Sequence, residues 1–407
     1  MTRPALTLLT FILLPFACFA QFAVSGRVIN ADTEKPVAGV SIFFNNATFG
    51  DASAGDGSFR IGNIKSGQYQ LVVTAVGYET YVKALLVSDD LKLDDIHLKQ
   101  KVIGLKEVKI HANFDREKYY EIFKKQLLGS SENAKECKIL NPDVLYIDYD
   151  DHVLTVNSDQ LLEIENKALG YKIKYLLQNF VLDGNEGTLY YFGYVSFENL
   201  PGSKSAQKRW EKNRLKVYLG SEMHFFRTLM GNQLNDDGFK VLKLVRTPIK
   251  KPYSDSVIRG KIRHYRALSA KNSKMADTMF RWVEMLQLPK YSQKLIDTPA
   301  LGPGDMLKRT DQKILFALSN PDCLYVMYTK RSDYYDNSIF HPYKIPNHPI
   351  TIVSFRSDYV LFDINGAVVT PDAALLEGYW GGKRVADSLP VDYEIGEADK
   401  AADPAGQ

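Results

Sequence analysis

Residues 22–98 constrain the fold more than any other part of the chain, because they consist of short alternating segments separated by turn-forming residues. Alternation of apolar and polar residues predicts strands with one buried face. The segments lie at 22–29, 40–44, 58–61, 69–75, 81–87 and 91–98. Strands that recur about every 8–12 residues, with Gly, Pro, Asn and Asp between them, are typical of a β-sandwich.

Three stretches make this prediction specific: "SGRVINADTEKPVAGVSI" at 25–42, "DGSFRIGNI" at 56–64 and "SGQYQLVVTAVGY" at 66–78. Together they resemble the transthyretin-like regulatory domain of carboxypeptidase type, a Greek-key β-sandwich. The matching positions are turn glycines and inward-facing strand residues: Gly26, Val28, Pro36, Gly39, Val40, Asp56, Gly57, Phe59, Gly67, Tyr69, Gly77 and Tyr78. The resemblance implies an accessory domain over residues 21–103, which we expect to fold independently.

Peptidase chemistry is not part of this resemblance. A zinc carboxypeptidase holds its metal with a His-x-x-Glu pair and a distant histidine. None of the seven histidines has a carboxylate three residues later, and the chain contains neither His-Glu-x-x-His nor Gly-x-Ser-x-Gly. The sequence therefore predicts no metallopeptidase activity, no catalytic or metal-binding residues and no cofactor.

The N-terminus has the composition of a secretory signal peptide over residues 1–20. One cation, Arg3, precedes an apolar run, and small residues precede Gln21. The run is shorter than the about 20 apolar residues that a spanning helix needs. We expect cleavage before Gln21 and a location in the periplasm or at the outer membrane, with acylation of Cys18 as the alternative. No later segment is apolar enough to predict a transmembrane helix in the mature chain.

The 407 residues are enough for two domains. Residues 104–394 mix predicted helices with predicted hairpins and indicate an α+β domain, and residues 395–407 are expected to form a disordered tail. The chain has 51 Lys and Arg against 48 Asp and Glu, a net charge of +3. This small excess argues against a nucleic-acid partner.

Within the α+β domain, the predicted helices cover residues 115–128, 205–219 and 221–230, with Asp115 as the first N-cap and Gly129 as its stop signal. Turn signals at 150–151, 183–187 and 365–366 predict hairpins. Residues 250–310 are basic and interrupted by Pro and Gly, which predicts a loop with one helix near 276–286. The stretches at 127–145, 169–177 and 218–229 resemble uncharacterised envelope proteins of Bacteroidetes-type bacteria, a resemblance that implies no catalytic motif.

The candidate binding site lies in "LLEGYWGGKRVADSLPVDYE". Tyr379 and Trp380 stand between glycines, and exposed aromatic residues in such a setting stack on sugar rings or anchor partners. The polar side chains that would accompany them are Lys383, Arg384 and Asp387. The alternative is that Trp380 packs in the core, because tryptophan has a large apolar area to bury.

Other reactive side chains favour structural roles. Cys137 and Cys323 are candidates for a disulfide, and His224 is expected in the core. The four acidic residues of the predicted hairpin near 150 are expected to be solvated turn residues rather than calcium ligands: Asp148, Asp150, Asp151 and Asp159.

Two functions remain open at this point. One is an envelope binding or scaffolding protein that recognises a glycan or an outer-membrane protein. The other is a periplasmic hydrolase, for example a glycosidase using two carboxylates such as Asp148 or Asp150. The absence of a motif that combines nucleophile, base and orienting group favours binding.

Overall fold

The computed structural model describes residues 21–101, 115–185, 187–269, 274–312, 314–332 and 339–396. The predicted signal peptide at 1–20 lies outside these ranges, as does most of the predicted tail, from residue 397 onward. The described residues form a β-sandwich followed by an α+β region of antiparallel sheets with helices between the strands. Both parts of the predicted fold class are therefore confirmed.

The sandwich consists of two four-stranded sheets, ordered β4-β1-β7 with β8 also paired to β1, and β3-β2-β5-β6. Buried and exposed residues alternate most clearly on β4 and β8, and the buried residues of both sheets meet in one core that includes Phe44, Phe59 and Tyr69. The strands are β1 Phe22–Asn30, β2 Ser41–Phe44, β3 Gly50–Ala52, β4 Ser58–Ile64, β5 Gly67–Thr74, β6 Tyr81–Val87, β7 Leu91–Lys92 and β8 Ile96–Leu98.

A six-stranded antiparallel sheet follows, and β13 and β14 are its longest strands. Helix α1 lies on this sheet, and Phe123 packs edge-on against Phe180 at 4.9 Å between ring centroids. The elements are α1 Arg116–Leu128, α2 Glu132–Lys135, β9 Cys137–Ile139, β10 Leu145–Asp150, β11 Val153–Ser158, β12 Leu162–Asn166, β13 Tyr171–Asp183 and β14 Thr188–Asn199, with a 3-10 turn at Pro142–Val144.

Two helices then lead to the last sheets, and both begin where a serine caps the backbone. Ser203 Oγ accepts from Ala206 N, and Ser221 Oγ accepts from His224 N. Helix α3 covers Lys204–Tyr218 and α4 covers Glu222–Met230. The predicted helix start at Asp115 is confirmed in the same way, since its side chain accepts from Lys118 N at 3.0 Å.

The C-terminal part contains a five-stranded sheet, ordered β16-β15-β19-β20-β22, and a three-stranded sheet, ordered β17-β18-β21. The elements are β15 Phe239–Pro248, α5 Asp255–Ser269, α6 Lys274–Gln287, β16 Tyr291–Ile296, α7 Pro303–Met306, β17 Leu307–Arg309, β18 Leu315–Leu318, β19 Cys323–Tyr328, β20 Ile350–Phe355, β21 Val360–Asp363 and β22 Ala374–Gly378, with 3-10 turns at Pro371–Ala373 and Val385–Asp387.

The prediction of a loop over 250–310 is wrong on both sides of the predicted helix. The structure confirms the helix near 276–286 but adds α5 before it and three further elements after it. Gly260 does not interrupt α5, because one glycine costs a helix only about 1 kcal/mol. Burial of Ile258 and Ile262, one turn apart, supports the helix instead.

The sandwich is joined to the α+β region by backbone contacts. The turn after β2 lies along the edge strand β14, where Asn46 N donates to Val195 O at 2.7 Å and Phe197 N donates to Ala47 O at 3.0 Å. Near the C-terminus, Val391 enters the sandwich core and its N–H donates to Asn46 O. The chain thus returns from its last turn to the first domain.

Candidate functional site

Tyr379 and Trp380 are buried, so the predicted exposed aromatic anchor is wrong. Trp380 is 6% exposed, its ring lies 5.2 Å from that of Phe225, and its Nε1 donates to Gly220 O at 2.8 Å. Tyr379 is 4% exposed, and its hydroxyl accepts from Arg331 at 2.7 Å. The core-packing alternative stated for Trp380 describes what the structure shows.

Gly378 explains why glycines next to these aromatic residues do not indicate exposure. It has φ +82°, and a Cβ there would lie 2.4 Å from Ile350 O. The glycine lets the chain leave β22 and fold closely back against β20. This turn places both rings in the core between the last sheets and α4.

Of the three polar candidates beside them, Arg384 and Lys383 make local contacts, whereas Asp387 makes long-range ones. Asp387 is buried and accepts from Ser131 Oγ at 3.1 Å and from Asn133 Nδ2 at 2.8 Å, which fastens α2 to the C-terminal turn. Arg384 donates to the carbonyls of Gly381 and Lys383. Lys383 Nζ lies 4.6 Å from the centre of the Tyr379 ring and 3.9 Å from Asp387 Oδ2.

A cavity of about 590 Å³ lies where the sandwich, the six-stranded sheet, the α3–α4 junction and the C-terminal turns meet. Three of the predicted site residues, Trp380, Lys383 and Asp387, line it, whereas Tyr379 and Arg384 do not. The predicted site therefore overlaps with this cavity, although the prediction rested on an exposed aromatic pair and Trp380 is buried. The sandwich supplies its opposite wall through β5, including Tyr69.

The cavity walls are aromatic and apolar with a few polar groups between them. Tyr175, Tyr191 and Phe197 come from β13 and β14, and Asn45 and Gln70 come from the sandwich. Burial raises the pKa of the phenols of Tyr69, Tyr175 and Tyr191 above the usual tyrosine value. These phenols are therefore neutral near pH 7 and available to donate or accept hydrogen bonds.

Glu222 differs from the other two acidic residues of this cavity in the hydrogen bonding of its carboxyl. Asp363 accepts from the backbone N–H groups of Asn365 and Ala367, both at 2.9 Å, and Asp387 is bound as described above. Among the residues that the structure describes, none donates a hydrogen bond to the Glu222 carboxyl. Burial raises the pKa of this carboxyl to about 7. A large share of Glu222 is therefore protonated near neutral pH.

Residues 24–110 match the family model of the CarboxypepD_reg-like domain. The N-terminal sandwich is a domain of this type. The match spans about a fifth of the chain, so it identifies the sandwich and leaves the α+β region without an assignment. No curated protein matches the chain.

Solved structures give only distant likenesses. The type II cohesin–X-dockerin complex from Acetivibrio cellulolyticus matches at 23% identity over 25% of this chain and 72% of that chain, with a TM-score of 0.18. A pilus 2b backbone protein of group B streptococcus matches at 15% identity over 19% and 40%, with a TM-score of 0.17. A protein of unknown function from Bacteroides fragilis matches at 10% identity over 88% and 93%, with a TM-score of 0.16. No conclusion about function is drawn from them.

Within the described ranges, no three His, Cys, Asp or Glu side chains are grouped closely enough to hold a metal ion. His224 is buried in an aromatic cluster, and its Nδ1 accepts from Gly220 N at 3.1 Å. The prediction that His224 is a core residue is confirmed.

The two cysteines of the described chain are free thiols, so the candidate disulfide is not formed. Cys137 belongs to the six-stranded sheet and Cys323 to the five-stranded sheet. Burial raises the pKa of the Cys137 thiol to about 12, which makes it a poor nucleophile at neutral pH.

The acidic residues near the β10–β11 turn are exposed and do not line the cavity. Asp151 pairs with Arg263, and Asp159 pairs with Lys101. Asp148 and Asp150, the two carboxylates named in the glycosidase alternative, are exposed on β10 and lie outside this cavity. The solvated role expected for these aspartates agrees with their exposure.

Proposed function

We propose that the protein is an exported binding protein of the cell envelope and that its ligand occupies the cavity between the regulatory-like domain and the α+β region. The observation that carries this proposal is the cavity itself. Ligand sites are concave, occur at domain interfaces, measure about 300–1,000 Å³ and combine apolar walls with a few polar groups. The cavity described here has each of these properties.

An envelope glycan fragment is the ligand class that these walls suit. Aromatic rings pack against the apolar faces of sugars, and the neutral phenols and the amides of Asn45 and Gln70 supply hydrogen bonds for hydroxyl groups. The apolar N-terminus with small residues before Gln21 supports export, and hence exposure to such glycans. An outer-membrane protein that inserts a side chain or loop is the alternative occupant.

A cavity-filling substitution tests the proposal. Met223 lines the cavity, so Met223→Trp should fill part of it and weaken binding of peptidoglycan or lipopolysaccharide fragments by at least about tenfold, measured by calorimetric titration. Met285→Trp is the matched control, because Met285 lies on a helix, is half-exposed and does not line the cavity. Equal glycan affinity in both variants would place the ligand elsewhere.

Glu222 supports one second candidate, a hydrolase. A carboxyl that stays protonated near neutral pH has the property required of the general acid in glycoside hydrolysis. The binding proposal is favoured because Asp363 and Asp387, the other two cavity acids, already accept structural hydrogen bonds. Glu222→Gln separates the candidates: a hydrolase would lose turnover of the bound glycan, whereas a binding protein shows no turnover in either form.

A further inference from the structure

Residues 249–269 and 274–291, here called the helical arm, contain a concentration of exposed apolar side chains. Among the described residues, seventeen large hydrophobic side chains are exposed, and seven of them lie in this arm: Ile249, Tyr253, Val257, Leu268, Phe280, Leu288 and Tyr291. Phe280 is 58% exposed. Grouped exposure of this kind indicates an interaction surface, whereas scattered exposure does not.

The two helices of the arm cover each other only in part. Ile258 and Ile262 of α5 are buried, but α6 contains no buried residue. Its inner face is nonetheless apolar and only half-buried, formed by Met275, Ala276, Met279, Trp282, Val283, Met285 and Leu286. An amphipathic helix normally turns its apolar stripe towards a core, whereas this face of α6 is only partly covered.

Cations accompany these apolar residues. The arm contains nine Lys and Arg against three Asp and Glu, whereas the rest of the chain has 42 against 45. The small net charge of the whole chain therefore conceals a strongly basic segment. On α5, Lys261 lies between Val257 and Leu268 at helical spacing, so a cation and apolar side chains share one exposed face.

We propose that the helical arm binds the surface of a membrane that contains anionic phospholipids. Basic amphipathic helices with aromatic and aliphatic residues beside the cations bind such surfaces, because the apolar side chains enter the headgroup region while the cations contact phosphate groups. Charge complementarity selects this occupant over a second copy of the chain, since two basic arms repel each other. The proposal does not depend on the cavity.

Vesicle flotation with the full mature chain tests the proposal. We expect binding to vesicles of phosphatidylglycerol and phosphatidylcholine, loss of that binding in high salt, and at least about tenfold weaker binding to phosphatidylcholine alone. Absence of binding to the anionic vesicles would overturn the proposal. So would equal binding to both vesicle types, or self-association through the arm without vesicle binding.

Matched variants locate the surface. The triple substitution Lys261→Glu, Arg266→Glu and Arg281→Glu changes exposed cations of the arm and should weaken vesicle binding at least about tenfold. The control triple Lys204→Glu, Lys208→Glu and Lys212→Glu alters net charge equally on the exposed side of α3. Equal loss in both triples would show a response to total charge and refute a specific role for the arm.

A second pair tests the apolar contribution without altering charge. Phe280→Ser should weaken binding several-fold, whereas Tyr343→Ser, at a residue 94% exposed outside the arm, should leave it unchanged. Both side chains are exposed, so both variants should keep the parent melting temperature. Unchanged vesicle binding by Phe280→Ser would contradict insertion of the arm.

Discussion

Glu222 is the single residue whose protonation most affects the cavity. Its carboxyl lies in a largely apolar wall, and burial raises its pKa to about 7. The folded state therefore holds a proton that the unfolded chain releases at a lower pH. As pH rises from the usual glutamate pKa toward 7, this difference progressively destabilises the folded state.

Glu222→Gln should consequently be more stable than the parent protein at pH 8, by about 1–3 kcal/mol, because the amide is never ionised. The difference should vanish below about pH 4, where the carboxyl is protonated in both folded and unfolded states. Urea unfolding at the two pH values measures it. Glu211→Gln, on the exposed side of α3, is the control and should show no comparable pH-dependent gain. An equal effect at both pH values would contradict the assigned cause.

Trp380 shows, at the level of a single residue, why the sequence alone predicts an exposed ring that the structure buries. Flanking glycines predict exposure of the ring, but Gly378 instead allows the chain to turn back closely against β20. A glycine in a turn and a glycine beside an exposed ring look identical in sequence, since the distinction depends on what the chain packs against. The unpartnered carboxyl of Glu222 was missed for a similar reason, because its only local signal is its position in the first turn of a helix.

Trp380→Ala should destabilise the protein by about 3–5 kcal/mol, because it removes a buried ring and its hydrogen bond to Gly220. Trp282→Ala offers the same substitution at a half-exposed position on the arm and should cost much less. Chemical denaturation of both variants measures the difference. A loss for Trp380→Ala below about 1 kcal/mol would mean that the ring is not part of the core.

Among the helices and strands, the sequence predicts those that are specified by residues close together in the chain. The Asp115 cap, the helices α3 and α4 and the β13–β14 hairpin all follow from capping residues, turn residues and alternation within a few positions. Helix α5 and strands β20 and β22 were not predicted. Strands β20 and β22 are specified by pairing with strands distant in sequence, and α5 is specified by packing on α6.

The segment 389–394 is an element without regular structure that joins the two parts of the molecule. Arg227 on α4 holds it by donating to Val391 O and Tyr393 O, both at 2.9 Å, and it also donates to Asn365 O at 2.8 Å. Asp392 in turn accepts from Thr48 N of the sandwich at 2.8 Å. One guanidinium therefore fixes the segment that closes one side of the cavity.

Arg227→Met should lower the free energy of unfolding by about 2–4 kcal/mol, since three backbone carbonyls lose a charged donor. It should also make the segment 389–394 more accessible to limited proteolysis. Arg60→Met, at an exposed position in β4, is the control. Unchanged stability and unchanged cleavage would show that the segment is held by its apolar contacts alone.

At the scale of the whole molecule, the sequence predicted a regulatory-like sandwich and an α+β region, and both are present. It did not predict how they meet, because no local pattern records the contact of Asn46 with β14 or of Val391 with the sandwich core. Independent folding of residues 21–103 remains a prediction. None of the described helices is long and apolar enough to cross a membrane.

In the function proposed above, the regulatory-like sandwich and the α+β region together form one ligand site. Hydrogen–deuterium exchange of the full mature chain, with and without saturating peptidoglycan or lipopolysaccharide fragments, tests it directly. We expect the ligand to slow exchange simultaneously in β5, in β14 and in the segment 383–391, which line one cavity. Protection confined to the sandwich, confined to the helical arm, or absent from all three segments would contradict it.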